Sequence, residues 1–221
     1  MKRIDPENLV CMNDAAANGV LRVAVAYAQP DNLLFGERIY RPEAKCWLHQ
    51  DLANIVLRAA QDCVNTHKLR YVLHDGLRTI DAQEAMLRTK KVKDNPRWLS
   101  ERLLSMPGMG GHPRGMAVDI SLETPGGNPI DMGTPFDFMA RDSGPDKNPA
   151  HRKHKNLSPD VLRNRSFLEG TMVNAAAALG LPLQPLPQEW WDFRMPPDVY
   201  ENYAPLSDAD LPDAMRMMPG K

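Results

Sequence analysis

From Gly110 to Leu122 the chain reads Gly-Gly-His-Pro-Arg-Gly-Met-Ala-Val-Asp-Ile-Ser-Leu, and this stretch limits the possible folds more than any other. Glycines and a proline present His112 in a loop. The run that follows, Met116 to Leu122, alternates like a strand, with Ala117, Asp119 and Ser121 on one face and Val118, Ile120 and Leu122 on the other. A carboxylate flanked by core residues sits on rigid support, as a metal ligand should; its plainer role is a local cap or pair. A second polar and aromatic block, Glu189-Trp190-Trp191-Asp192-Phe193-Arg194, lies far downstream. The remainder reads as the scaffold that brings these two pieces together.

That scaffold mixes strands and helices. Val20 to Tyr27 is apolar and partly β-branched, which predicts an early strand, and residues 31 to 42 form an irregular arm wrapped on the core. Between His49 and Lys68, the apolar residues Leu52, Ile55, Val56, Ala59, Ala60, Cys63 and Val64 recur on one helical face. Tyr71 to His74 is a short strand ending at the Asp75-Gly76 turn. Asp81 to Thr89 and Pro96 to Leu104 are predicted helical, with Thr79 or Asp81 and then Asp94 or Asn95 as N-caps. Ser158-Pro159 opens a further helix that Gly180 stops. Pro182, Pro185 and Pro187 force an extended lead-in to a strand at Glu189 to Asp192, and the tail from about Ser207 is expected to be poorly ordered. The expected fold is a single α+β domain over residues 1–221, a mostly antiparallel sheet with flanking helices.

Composition narrows the function classes. A length of 221 residues supports one good-sized core, and 43% hydrophobic with 25% charged residues is ordinary for a globular protein. A net charge of −1 gives no reason to expect nucleic acid as a partner, and no apolar run approaches the ~20 residues that span a bilayer. The odd set Cys11, Cys46 and Cys63, without CxxC spacing, suits a reducing compartment. The expected location is therefore cytoplasmic, or periplasmic if a leader was removed.

A catalytic metal site needs about three protein ligands, an open position and a separate carboxylate to take a proton from water. His112 and Asp119 are candidates, and Glu189 and Asp192 could complete the set. Positions three apart in a regular strand face opposite ways, so the chain must bulge or turn between Glu189 and Asp192 if both serve one site. Of the other histidines, His151 and His154 sit in a basic stretch that reads as a solvated loop, and His74 ends a strand as a packed, hydrogen-bonded residue.

His112-Pro113-Arg114-Gly115-Met116-Ala117-Val118-Asp119 closely resembles the HxxGxAxD signature of the VanX-like D-alanyl-D-alanine dipeptidases, zinc metallopeptidases related in fold to the lysostaphin and hedgehog group. Asp75-Gly76-Leu77-Arg78 resembles that family's DGYR segment, Met132 to Asp137 its MGTxFD segment, and Glu189-Trp190-Trp191 its EWWH segment, all in family order. The resemblance implies a hedgehog/D-Ala-D-Ala peptidase-like fold. His112 and Asp119 would be zinc ligands, Glu189 the general base, and Arg78 the group that polarises the scissile carbonyl. It implies a small peptide substrate, D-alanyl-D-alanine or a muropeptide. Gly110 and Trp190 are expected at the substrate, with Trp190 and Trp191 walling the site, and Asp137 either orients a ligand histidine or the substrate amine or serves only a turn.

Departures from the pattern carry their own expectations. Asp192 stands where the family has its third ligand histidine, so the metal set becomes His112, Asp119 and Asp192, and oxygen-rich ligation also suits Mn²⁺ or Fe²⁺. The alternative is that Asp192 pairs with Arg194 and leaves the site metal-poor, a binding module for cell-wall peptides. Gly110 replaces a family serine that helps hold the substrate's amino end. That loss leaves room for a carboxypeptidase or endopeptidase acting on longer peptidoglycan stem peptides.

Overall fold

The computed structural model describes residues 1–101 and 103–220. Among the described residues seven strands form in chain order: β1 (Leu9–Cys11), β2 (Leu21–Val23), β3 (Trp47–His49), β4 (Arg70–Asp75), β5 (Ala117–Glu123), β6 (Gln184–Pro185) and β7 (Asp192–Arg194). Five of them make the main sheet in the order β2-β4-β5-β7-β6, parallel only at β2–β4 and antiparallel elsewhere, while β1 and β3 pair as a separate ribbon. Helices flank the sheet, so the architecture is α+β, as the alternation of apolar patterns predicts.

The helix Gln50–His67 buries Leu52, Ala53, Ile55, Val56, Ala59, Ala60 and Cys63 along one face, which is the stripe expected from the sequence. It packs against the long helix Pro159–Leu179. Ser158 caps that second helix by accepting from the Val161 backbone N–H, Pro159 opens it, and Gly180 closes it at φ +65°. Each large aliphatic side chain on these faces contributes roughly 1.5–3 kcal/mol by leaving water. These helices support the sheet from behind; the polar groups gather at the ends of β4, β5 and β7.

Four expected elements need correction, the first being the strand expected at Glu189 to Asp192, which begins only at Asp192 and runs to Arg194 because a turn precedes it. The early strand is only Leu21–Val23, because the chain then turns through a 3₁₀ segment, Ala26–Ala28, that carries Tyr27 inward. The helix expected over Pro96 to Leu104 shrinks to Arg97–Ser100, with Arg102 outside the described residues; a separate turn, Lys90–Asp94, is capped by the Thr89 hydroxyl. The tail expected to be loose packs on the domain instead. Asp208 accepts from the Met217 and Met218 backbone N–H groups at 3.1 and 2.8 Å, Arg41 donates to the Asp213 and Ala214 carbonyls, and Leu211 and Met217 are buried.

Candidate active site

Strand register builds the site. Asp75 on β4 lies opposite Asp119 on β5, and Asp119 lies opposite Asp192 on β7, so three aspartates stand in a row across adjacent strands. All three are buried. Such a row of like charges is unstable unless cations are interleaved with it. The protein places Arg78 beside Asp75 and Asp119, His112 beside Asp119 and Asp192, and Arg194 on the outer side of Asp192.

His112 is fixed by two close backbone approaches. Its Nδ1 lies 2.8 Å from the Gly76 carbonyl oxygen, so it donates there and turns Nε2 toward the carboxylates, 3.6 Å from Asp119 and 3.4 Å from Asp192. A Cβ on Gly76 would meet the Trp47 carbonyl oxygen at 2.8 Å, and one on Gly111 would meet that of Met116 at 2.7 Å, so only glycine fits either place. Burial and Arg78 pull the His112 pKa down, but Asp119 and Asp192 outweigh them and push it up to about 10. Positive charge is therefore favoured where these three side chains meet.

Arg78 is held from both ends. Its Nε donates to Asp75 Oδ2 at 2.8 Å, Tyr40 donates to Asp75 Oδ1 at 2.9 Å, and the guanidinium lies 5.2 Å from the centre of the Tyr27 ring. Tyr27 in turn donates to Asp137 Oδ1 at 3.0 Å. Asp137 adopts the left-handed region at φ +61°, uncommon for a residue with a side chain, and this conformation accompanies its place on the cavity wall. Burial first, then the nearby Asp119, raise its carboxyl well above the usual range.

A cavity of about 390 Å³ opens over these groups and is also lined by Glu189, Trp191 and Ser105. Glu189 sits in the turn before β7 and Asp192 begins the strand, which is how residues three apart reach one cavity. Burial, reinforced by Asp192 and Asp119, raises the Glu189 carboxyl to about 8. A carboxylate poised there is suited to accept and return a proton near neutral pH.

These donors fit a divalent cation. Asp119 Oδ1 is buried with no hydrogen-bond partner among the described residues, an orphan acceptor beside the Nε2 of His112. Among the described residues, Asp75, His112 and Asp119 are the group whose ligand atoms all lie within 4.8 Å of one another, a set that does not take in Asp192, but Tyr40 and Arg78 already occupy the two Asp75 oxygens. Asp75 is better placed to anchor Arg78. Asp192 is clasped through both oxygens by Arg194, with Nε 2.8 Å from Oδ1 and Nη2 on Oδ2, yet Oδ2 still faces His112. A carboxylate oxygen has two lone pairs, so the clasp and a cation are compatible.

The structure thus brings His112, Asp119, Asp192, Glu189, Arg78 and Asp137 to one cavity. Trp190 does not join them: its Nε1 donates to Thr134 at 2.8 Å and it lines a separate groove with Arg152 and Arg165, while Trp191 faces the cavity. Adjacent residues point apart, so of the two tryptophans expected to wall the site Trp191 does and Trp190 does not. Gly110 stands beside Arg194 and Ser105, just behind the lining. The basic stretch is also less solvated than expected, because Arg152 donates to the Leu186 and Asp192 carbonyls and to Glu169, bracing the approach to β7. Sequence reasoning gave no role to Tyr27, Tyr40 or Asp75. Asp75 stood within a recognised motif; nothing marked the tyrosines.

Known proteins resemble this chain over most of its length. Residues 14–207 match the family described as D-ala-D-ala dipeptidase. The chain is similar to the D-alanyl-D-alanine dipeptidase of Escherichia coli (strain K12), 31% identical over 176 residues that cover 80% of this chain and 79% of the relative. A solved structure, the L-Ala D-Glu endopeptidase of Serratia marcescens, matches 69% of this chain and 84% of its own at 14% identity, with a TM-score of 0.39. On the extent of the family match and the identity to the curated relative, the chain belongs to the D-Ala-D-Ala dipeptidase family of peptidases.

Proposed function

We propose that this protein is a metal-dependent peptidase that hydrolyses D-alanyl-D-alanine or a closely related peptide ending in a D-amino acid. The observation that carries the reading is the orphan Asp119 Oδ1 beside His112 Nε2, with Asp192 Oδ2 close by and Glu189 in the same cavity. His112, Asp119 and Asp192 would hold the cation, which supplies Lewis acidity at the scissile carbonyl. The mixed imidazole and carboxylate set suits Zn²⁺, with Mn²⁺ or Fe²⁺ as further candidates.

The chain's own groups divide the remaining work. Glu189 takes a proton from the attacking water and returns it to the leaving amine. Arg78, fixed by Asp75, aims a permanent positive charge at the carbonyl oxygen as negative charge develops there; loss of one such donor costs ~3 kcal/mol in the barrier. Trp191 excludes bulk water and strengthens these interactions. Asp137 receives the substrate's amino end, and a cationic ammonium there would keep its carboxyl ionised.

Cleavage of longer stem peptides is a second reading, favoured by the shape of the site. Leu34, Asp137 and Met139 also line a neighbouring apolar groove, which extends the cavity beyond Asp137. The decisive experiment measures bound metal in protein purified without chelators, then alanine release from D-alanyl-D-alanine and from muropeptides. Stoichiometric metal with release from either substrate supports the proposal. Metal-free protein that stays inactive after addition of Zn²⁺, Mn²⁺ or Fe²⁺ overturns it.

A further inference from the structure

The proposed hydrolysis gives Arg194 no task beyond holding Asp192, although Arg194 lines the same cavity. Its side chain is only 15% exposed. Nε and Nη2 donate to Asp192, and among the described residues Nη1 has no acceptor. A Cβ at Gly110 would lie 3.8 Å from Nη1, so the bare backbone leaves the space beside that nitrogen open. Ser105 Oγ stands at the same 3.8 Å from that point and offers a second donor. Arg194 also pairs across the sheet with Ala117 on β5.

A guanidinium largely withdrawn from water leaves donors unsatisfied unless each edge meets an acceptor, and its planar fork matches a carboxylate. Among the described lining residues the arginines are Arg78 and Arg194. Arg78 is tied to Asp75 and Asp119 beside the reacting centre, whereas Arg194 stands on the β7 flank. A peptide that ends in the cavity brings a carboxylate that needs a positive partner.

We infer that Arg194 is a specificity-determining residue whose Nη1 edge receives the substrate's terminal carboxylate, so that the bond cut is the one before a free C-terminal residue. The inference rests on the hydrolytic reading above and narrows it: exopeptidase cleavage of a dipeptide or a longer stem fits, and internal cleavage does not. The same residue would then hold Asp192 with one edge and select substrate with the other.

The test compares D-alanyl-D-alanine with D-alanyl-D-alaninamide, in wild type, Arg194→Gln and Arg194→Lys. Wild type should favour the acid by roughly 10- to 100-fold in kcat/KM, the scale of a hydrogen bond between charged groups. Arg194→Gln should bring the ratio close to one, and Arg194→Lys should retain part of it. Any damage from a loosened Asp192 falls on both peptides and cancels in the ratio. A ratio unchanged by Arg194→Gln, or a wild type that treats the two alike, overturns the inference. Should Arg194→Gln fail to fold, the wild-type ratio and the Lys variant still decide. If the zinc-loaded protein cleaves neither peptide, calorimetric binding of the same pair reads the preference without turnover. Acid-selective binding would then sustain the Arg194 site while the hydrolytic reading fails, and equal or absent binding removes both.

Discussion

At the scale of single residues, the site depends on a few buried charges whose partners differ from their sequence neighbours. Glu189→Gln should lower kcat at least roughly 100-fold, the contribution of a positioned general base, while bound metal and melting temperature stay near wild type. In a plot of kcat/KM against pH, activity should rise as Glu189 ionises. Its raised value, about 8 without a cation, sets the upper bound for that limb, because a bound cation beside Asp119 and Asp192 favours the ionised form. The limb should therefore lie below 8 in loaded enzyme and vanish in Glu189→Gln. Asp192→His alone strands the Arg194 guanidinium, a loss of about 3 kcal/mol readable in urea denaturation. The double change Asp192→His with Arg194→Leu should recover most of that loss and bind zinc more tightly than wild type.

Elements show why some of the site was legible and some was not. The periodicity of residues 49–68 and the caps at Ser158 and Gly180 are local signals, and the helices form where those signals lie. The sequence also marked His112 and Asp119, because a glycine-rich loop running into an alternating strand is written in consecutive residues. Opposition of Asp75, Asp119 and Asp192 is a property of strand pairing between distant segments, and nothing local encodes it. Tyr27 was hidden for the same reason: its run looked β-like, and only the turn at Ala26–Ala28 brings it to Asp137. His74 was legible as a packed histidine. It stacks on Phe136 at 4.6 Å and its Nε2 meets Ser121 Oγ at 2.7 Å, joining β4 to β5. Burial lowers its pKa to about 4, so the unfolded chain binds the extra proton first as pH falls below about 6.5. This stabilising contribution is complete above pH 6.5 and lost progressively toward pH 4. Melting temperature should fall across that window, and His74→Gln should flatten the fall.

For the molecule as a whole, the C-terminal segment is a structural belt. Ile80 donates its backbone N–H to the Leu206 carbonyl, and Asp81 accepts from the Asp208 backbone N–H, so the segment holds the start of the helix that follows Arg78. Truncation after Ser207 would remove Leu211 and Met217 from the core, worth roughly 1.5–3 kcal/mol each when fully buried. Both the urea midpoint and kcat should drop, the latter because Arg78 loses its support. A truncated protein with unchanged midpoint and activity would show that the belt is dispensable.

The alignment of one acidic group on each of three strands has a consequence for biosynthesis. Those strands lie far apart along the polypeptide, and the last of them, Asp192–Arg194, emerges from the ribosome after most of the domain has been made. Until it docks at the edge of β5, neither the clasped aspartate nor the glutamate before it can join the histidine. On the proposed mechanism a nascent chain should therefore be inert until the sheet closes.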